Sequence, residues 1–116
     1  MSYCVYVTRT NEWWDSANAP ISLEEWIAYV AADPDMRLDG FAEITNPQGE
    51  VLRIEEPGIC VWTKWSKHGV AKGMAWFSWS DGCVIVSHPD EEGLEKMRQI
   101  ARHFHAHVIG EEGEQY

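Results

Sequence analysis

Met74-Ala75-Trp76-Phe77-Ser78-Trp79-Ser80-Asp81-Gly82-Cys83-Val84-Ile85-Val86-Ser87 is the stretch that decides the architecture. Two runs rich in aromatic and β-branched residues flank Asp81-Gly82. That pair favours a two-residue type I′ turn, in which both central residues need φ > 0. The stretch therefore predicts adjacent antiparallel strands over 74–80 and 83–87. Toward the N-terminus, 59–65 reads as another strand, set off by the breaker Pro57-Gly58. Before it, 41–45 and 50–54 flank Asn46-Pro47-Gln48-Gly49, a turn-forming quartet that predicts a second hairpin. Residues 3–8 carry Tyr, Val and Thr in an order that predicts a first strand, and 11–20 reads as a loop.

Two helices complete the pattern. Ser22 and Glu25 stand at the spacing of a capping box, with Ile21 and Trp26 at the positions of a hydrophobic staple. Leu23, Trp26, Ile27 and Val30 then share one helical face, and Pro34 ends the helix. Near the C-terminus, Leu94, Met97, Ile100, Ala101 and Phe104 recur at helical spacing, with Asp90, Glu91 and Glu92 near the positive end. Gly93 costs that first turn about 1 kcal/mol relative to Ala. A short strand over 107–109 leads into Gly110-Glu111-Glu112-Gly113-Glu114-Gln115-Tyr116. The order is β-α-β-β-β-β-β-α-β. It predicts a single α+β domain over 1–116, mainly an antiparallel β-meander packed by two helices on one face.

The chain has 116 residues and a formal net charge of −10, with 45% hydrophobic and 24% charged residues, a globular composition. Such a balance argues against direct nucleic-acid binding, which needs clustered Lys and Arg, and against docking on an anionic membrane. No secretory leader and no membrane span is legible, so the cytoplasm is the expected location. Cys4, Cys60 and Cys83 are far apart and odd in number, and they read as reduced, inward-facing thiols. The charge is uneven: residues 1–58 hold 11 acids and 3 bases, whereas 59–88 hold 1 acid and 3 bases, so that Lys64, Lys67 and Lys72 form a positive tip.

Candidate chemistry is sparse. His103, His105 and His107 would share a face if extended, a geometry open to a metal ion, but they diverge if the helix reaches His105, where a positive ring suits the helix C-terminus. No metal or other cofactor is expected. The run 67–73 contains glycine and lysine without the order of a phosphate-binding loop, and no serine or cysteine stands in a nucleophile's setting, so no catalytic residue is assigned. Seven tryptophans stand at 13, 14, 26, 62, 65, 76 and 79. Trp26 belongs to the first helix's core face. Trp62 and Trp65, like Trp76 and Trp79, have opposite parity and would place one ring on either face of a regular sheet. Exposed aromatic surface of that kind often marks a contact site.

Trp13-Trp14-Asp15, Ile21-Ser22-Leu23-Glu24-Glu25-Trp26, Val61-Trp62, His88-Pro89-Asp90-Glu91-Glu92-Gly93-Leu94-Glu95-Lys96-Met97 and Gly110–Tyr116 together resemble a group of small, acidic, uncharacterised bacterial proteins. The likeness spans nearly the whole chain. It implies an immunity protein of the kind encoded beside polymorphic or contact-dependent toxins, a stoichiometric inhibitor that occludes the basic active site of a cognate toxin domain. From the residues themselves, Trp13, Trp14 and Asp15 in the first loop and Glu111, Glu112 and Glu114 in the tail are the expected partner-binding set. A small enzyme or ligand-binding protein, using a Trp-lined pocket or the His cluster, is the alternative. A DNA mimic that blocks a nucleic-acid-binding protein is a third.

Overall fold

A computed structural model describes residues 3–70 and 74–116. Eight strands, β1 (Cys4–Thr8), β2 (Met36–Leu38), β3 (Phe41–Thr45), β4 (Val51–Glu55), β5 (Cys60–Trp62), β6 (Trp76–Ser80), β7 (Cys83–Ser87) and β8 (His107–Gly110), accompany helices α1 (Leu23–Ala32) and α2 (Glu91–Phe104). A 3-10 helix spans Trp13–Asn18. Six strands form an antiparallel sheet in the order β2-β5-β6-β7-β1-β8, and β3-β4 form a separate two-stranded sheet. The fold is α+β.

Asp81-Gly82 makes the expected turn, with φ of 50° and 90° and Ser80 opposite Cys83. Gly82 is needed twice over. A Cβ there would lie 2.8 Å from the Pro20 Cβ and 3.0 Å from the Ser16 carbonyl oxygen, and its own carbonyl accepts the Ile21 N–H at 2.9 Å. The turn is thus packed beneath the chain that enters α1.

That helix starts as its sequence dictates. Ser22 Oγ accepts the Glu25 N–H at 3.0 Å, and the Glu25 carboxylate accepts the Ser22 N–H at 3.1 Å. Glu25 also takes two bonds from the Arg9 guanidinium, which with the Ser22 N–H lowers its carboxyl to about 2. α2 is capped by Asp90, whose carboxylate accepts the Gly93 N–H at 2.8 Å, and ends on His105 in the left-handed conformation.

Both helices cover one face of the six-stranded sheet. Trp26, Val30, Met97, Ile100 and Phe104 pack there with Val5, Val7, Cys60, Phe77, Val84, Val86 and Val108. The helices are also tied to each other: Lys96 Nζ lies 2.6 Å from Asp33 Oδ2, with only 2% and 8% of the two side chains exposed. Burial pushes the Asp33 carboxyl up, but the Lys96 ammonium, the Asp35 N–H and the Tyr29 hydroxyl outweigh it and leave it below its ordinary value.

Several expectations need correction. The middle strands are not one continuous meander. β5-β6-β7 are consecutive, but β1 inserts between β7 and β8, and β3-β4 leave the sheet because their only ladder is with each other. The 59–65 strand shrinks to Cys60–Trp62, because the chain turns beyond Thr63 and carries Trp65 and Ser66 to the Asp90 and Glu92 carboxylates at the start of α2. The 74–80 strand begins at Trp76. The 11–20 loop contains the 3-10 helix, and β2, unanticipated, pairs with β5.

Candidate interaction surface

Strand parity sends Tyr6, Ser78, Ile85 and Trp76 away from the helices. The register aligns Ser78 with Ile85, Ile85 with Tyr6, and Tyr6 with Ile109. This second face is covered from both sides, so that Cys83 and Val61 on it are buried and Trp76, Ser78 and Ile85 are left half-buried. On the β1 side the 3-10 helix lays Trp13 flat on Tyr6, with ring centroids 4.5 Å apart and planes at 7°. Trp14 stands edge-on to Trp13 and is 55% exposed. The segment is held down by Ser16, whose hydroxyl shares a hydrogen bond of 2.8 Å with the Thr8 hydroxyl. On the other side the β3-β4 hairpin brings Phe41 to 6.5 Å from Trp76, with the Arg53 guanidinium 3.9 Å above the Phe41 ring.

Two hollows result. One of 390 Å³ is lined by Tyr6, Trp13, Trp14, Ser80, Asp81 and Ile85 among others, and among the described residues Asp81 is the only charged one in its lining. The other, of 610 Å³, lies among Arg37, Asp39, Phe41, Glu43, Met74 and Trp76. Ser78 and Ile85, half-buried, form the floor between them.

The first loop and the C-terminal tail meet at one corner: the Trp13 indole N–H donates to the Glu111 carbonyl at 3.0 Å. Part of the expected partner-binding set is engaged within the fold. The Glu111 carboxylate accepts the Cys4 N–H at 2.7 Å. The Glu114 carboxylate accepts the Glu112 N–H at 3.1 Å, and the neighbouring Tyr3 hydroxyl, which shares a hydrogen bond of 3.2 Å with the Tyr116 hydroxyl, holds its carboxyl below the ordinary range, while Glu114 and Tyr116 push the Tyr3 hydroxyl well up. Gly110 makes room for this, since a Cβ there would run into the Glu114 carboxylate and the Tyr3 hydroxyl. Trp14, Asp15 and Glu112 are left facing solvent.

The other candidates are dispersed. His103 packs on the Tyr29 ring at 4.8 Å, His105 is the left-handed cap of α2, and His107 pairs with Thr8 in β8. Among the described residues no three His, Cys, Asp or Glu side chains converge as metal ligands. Cys60 and Cys83 are buried and Cys4 is half-buried; burial pushes the Cys60 thiol up to about 12, which keeps it protonated and unreactive. Lys64 and Lys67 are exposed, and Lys72 lies outside the described residues. The indole N–H groups of Trp26, Trp65 and Trp79 are satisfied internally, by the Gly58 carbonyl, the Asp90 carboxylate and the Ile21 carbonyl. The remaining surface can bind by aromatic contact and negative charge. Sequence reasoning passed over Ser78, Asp81 and Ile85 as site residues, although the period of two along β6 and β7 puts Ser78 and Ile85 opposite the core.

Searches against protein-family models, curated proteins and solved structures returned no match. Among the described residues no helix is long and apolar enough to cross a membrane.

Proposed function

We propose that the protein is a stoichiometric binding protein that acts in the cytoplasm as an immunity protein, occluding the basic active site of a cognate bacterial toxin domain. The observation that carries this reading is the corner where loop and tail meet. An exposed tryptophan, Trp14, stands there beside Asp15 and close to the acidic tail, in a chain of net charge −10. Trp is favoured as an interface anchor because it buries a large area at low entropic cost, and surrounding carboxylates steer a basic partner into place. The solvent-facing Trp14, Asp15 and Glu112 form the contact, while Trp13, Glu111 and Glu114 hold the corner in shape.

The test is co-expression with the protein encoded beside its gene. The expected result is relief of that neighbour's toxicity and a 1:1 complex on gel filtration, weakened about thirtyfold or more by Trp14→Ala, the effect of losing a central interface tryptophan. A neighbour that is harmless alone, or toxic and unaffected by this chain, refutes the reading.

A further inference from the structure

From the open face of the six-stranded sheet we infer that the partner element seated there is a basic amphipathic α-helix, lying in the trough between the 3-10 helix and the β3-β4 hairpin. The inference deepens the proposed binding role and rests on it. The trough runs over β6 and β7, with walls above β1 and β5. The axes of β1 and β5 lie three strand spacings apart, about 14 Å, and Trp13 on one side and Phe41 on the other take up part of that width. A helix of about 10–12 Å across therefore rests on the two rims and lowers one apolar face toward Ile85. A strand would not suit the same place. β6 and β7 are already hydrogen-bonded on both sides, within the order β5-β6-β7-β1, so the floor offers no free backbone edge. A helix satisfies its own backbone and brings only side chains to the contact.

The chemistry of the lining sets the charge of the occupant. Trp14, Trp76 and Ile85 supply apolar and aromatic surface for one face of the helix, while Tyr6 lies buried under Trp13. Asp81 lines the trough, Asp15 stands beside Trp14, and neither has an ion-pair partner among the described residues. Among the described residues Arg37 is the only cation in either lining, and it is occupied by two bonds to Asp39 at 2.7 and 3.0 Å. The uncommitted charge of the described lining is negative, and Lys or Arg flanking an apolar stripe complements it.

The probe is a fluorophore-labelled peptide of about 18 residues with Leu and Lys at helical spacing, a length that helix formation in water requires. Its controls are a Glu-for-Lys version and a proline-interrupted version. Anisotropy should report 1:1 binding of the basic helix, with a gain of helical circular dichroism, and at least about tenfold weaker binding of either control. Ser78→Arg, which fills the floor, should abolish binding, and Trp14→Ala, at an exposed site that leaves the fold intact, should weaken it about tenfold or more. Leu52→Ser on the hairpin should change nothing. Binding insensitive to both Ser78→Arg and Trp14→Ala overturns the inference, as does self-association of the chain through this face. The neutralisation assay reads the binding role separately. Neutralisation that survives both variants overturns the helix seat and leaves the immunity reading standing. Seat-dependent peptide binding without neutralisation of the neighbouring protein supports the seat and removes that reading.

Discussion

The six-stranded sheet and the β3-β4 hairpin are both antiparallel and both joined by tight turns, yet they are stabilised in different ways. In the sheet, Val7, Phe77 and Val84 are fully buried beneath two helices. In the hairpin, every residue of β4 is exposed, Leu52 by 61% and Ile54 by 42%. Turn chemistry explains why the hairpin forms at all. Asn46 Oδ1 accepts the Gln48 and Glu50 N–H groups, and Gly49 takes the positive φ that closes the turn. Attachment to the rest comes through few contacts: Phe41 on Trp76, and backbone bonds from Asp39 and Gly40 to the Ile59 carbonyl. Pairing can thus be dictated locally, whereas stability and position come from what covers the strands.

Substitutions on the two sides should separate these contributions. The largest effect is expected beneath the sheet. Lys96→Ala leaves Asp33 buried without its cation and should cost about 3–5 kcal/mol by denaturant unfolding; a cost below about 1 kcal/mol would deny the buried pair its role. Gly82→Val comes next, at about 2 kcal/mol or more, because it combines a strained φ with collision against Pro20 and Ser16. Acid should act through the capped helix. The Glu25 carboxyl sits at about 2 instead of 4.5, so its contribution is complete above 4.5 and is lost as pH falls toward about 2. The denaturation midpoint should drop over that window, and Arg9→Gln should flatten the drop. Leu52→Ser on the hairpin should stay within about 0.5 kcal/mol. An effect as large as that of Gly82→Val would mean that the hairpin folds as part of the main core.

The same contrast explains what was legible in the sequence. Ser22 with Glu25, Asp81-Gly82 and the apolar spacing of α2 are local devices, and each formed where it was expected. The insertion of β1 between β7 and β8 and the detachment of β3-β4 depend on pairings across most of the chain, which no local pattern encodes. β2 has three residues and exists through its partner β5. The 3-10 helix has no side-chain N-cap and no apolar period; Trp13 is fixed by stacking on Tyr6 and by the tail carbonyl. For that reason the candidate site was legible as a corner rich in Trp and acid, but not as a trough with Ser78 and Ile85 for its floor.

The two regions also offer rival binding surfaces, the aromatic trough and the bare aliphatic side of the hairpin. The most direct test is a two-dimensional NMR titration of the isotopically labelled chain with the protein encoded beside its gene. The expected result is that the Trp14 indole and Ile85 methyl signals shift and saturate at one equivalent, while the Leu52 and Ile54 methyls stay in place. Shifts confined to Leu52 and Ile54, with Trp14 and Ile85 unmoved, would contradict the account.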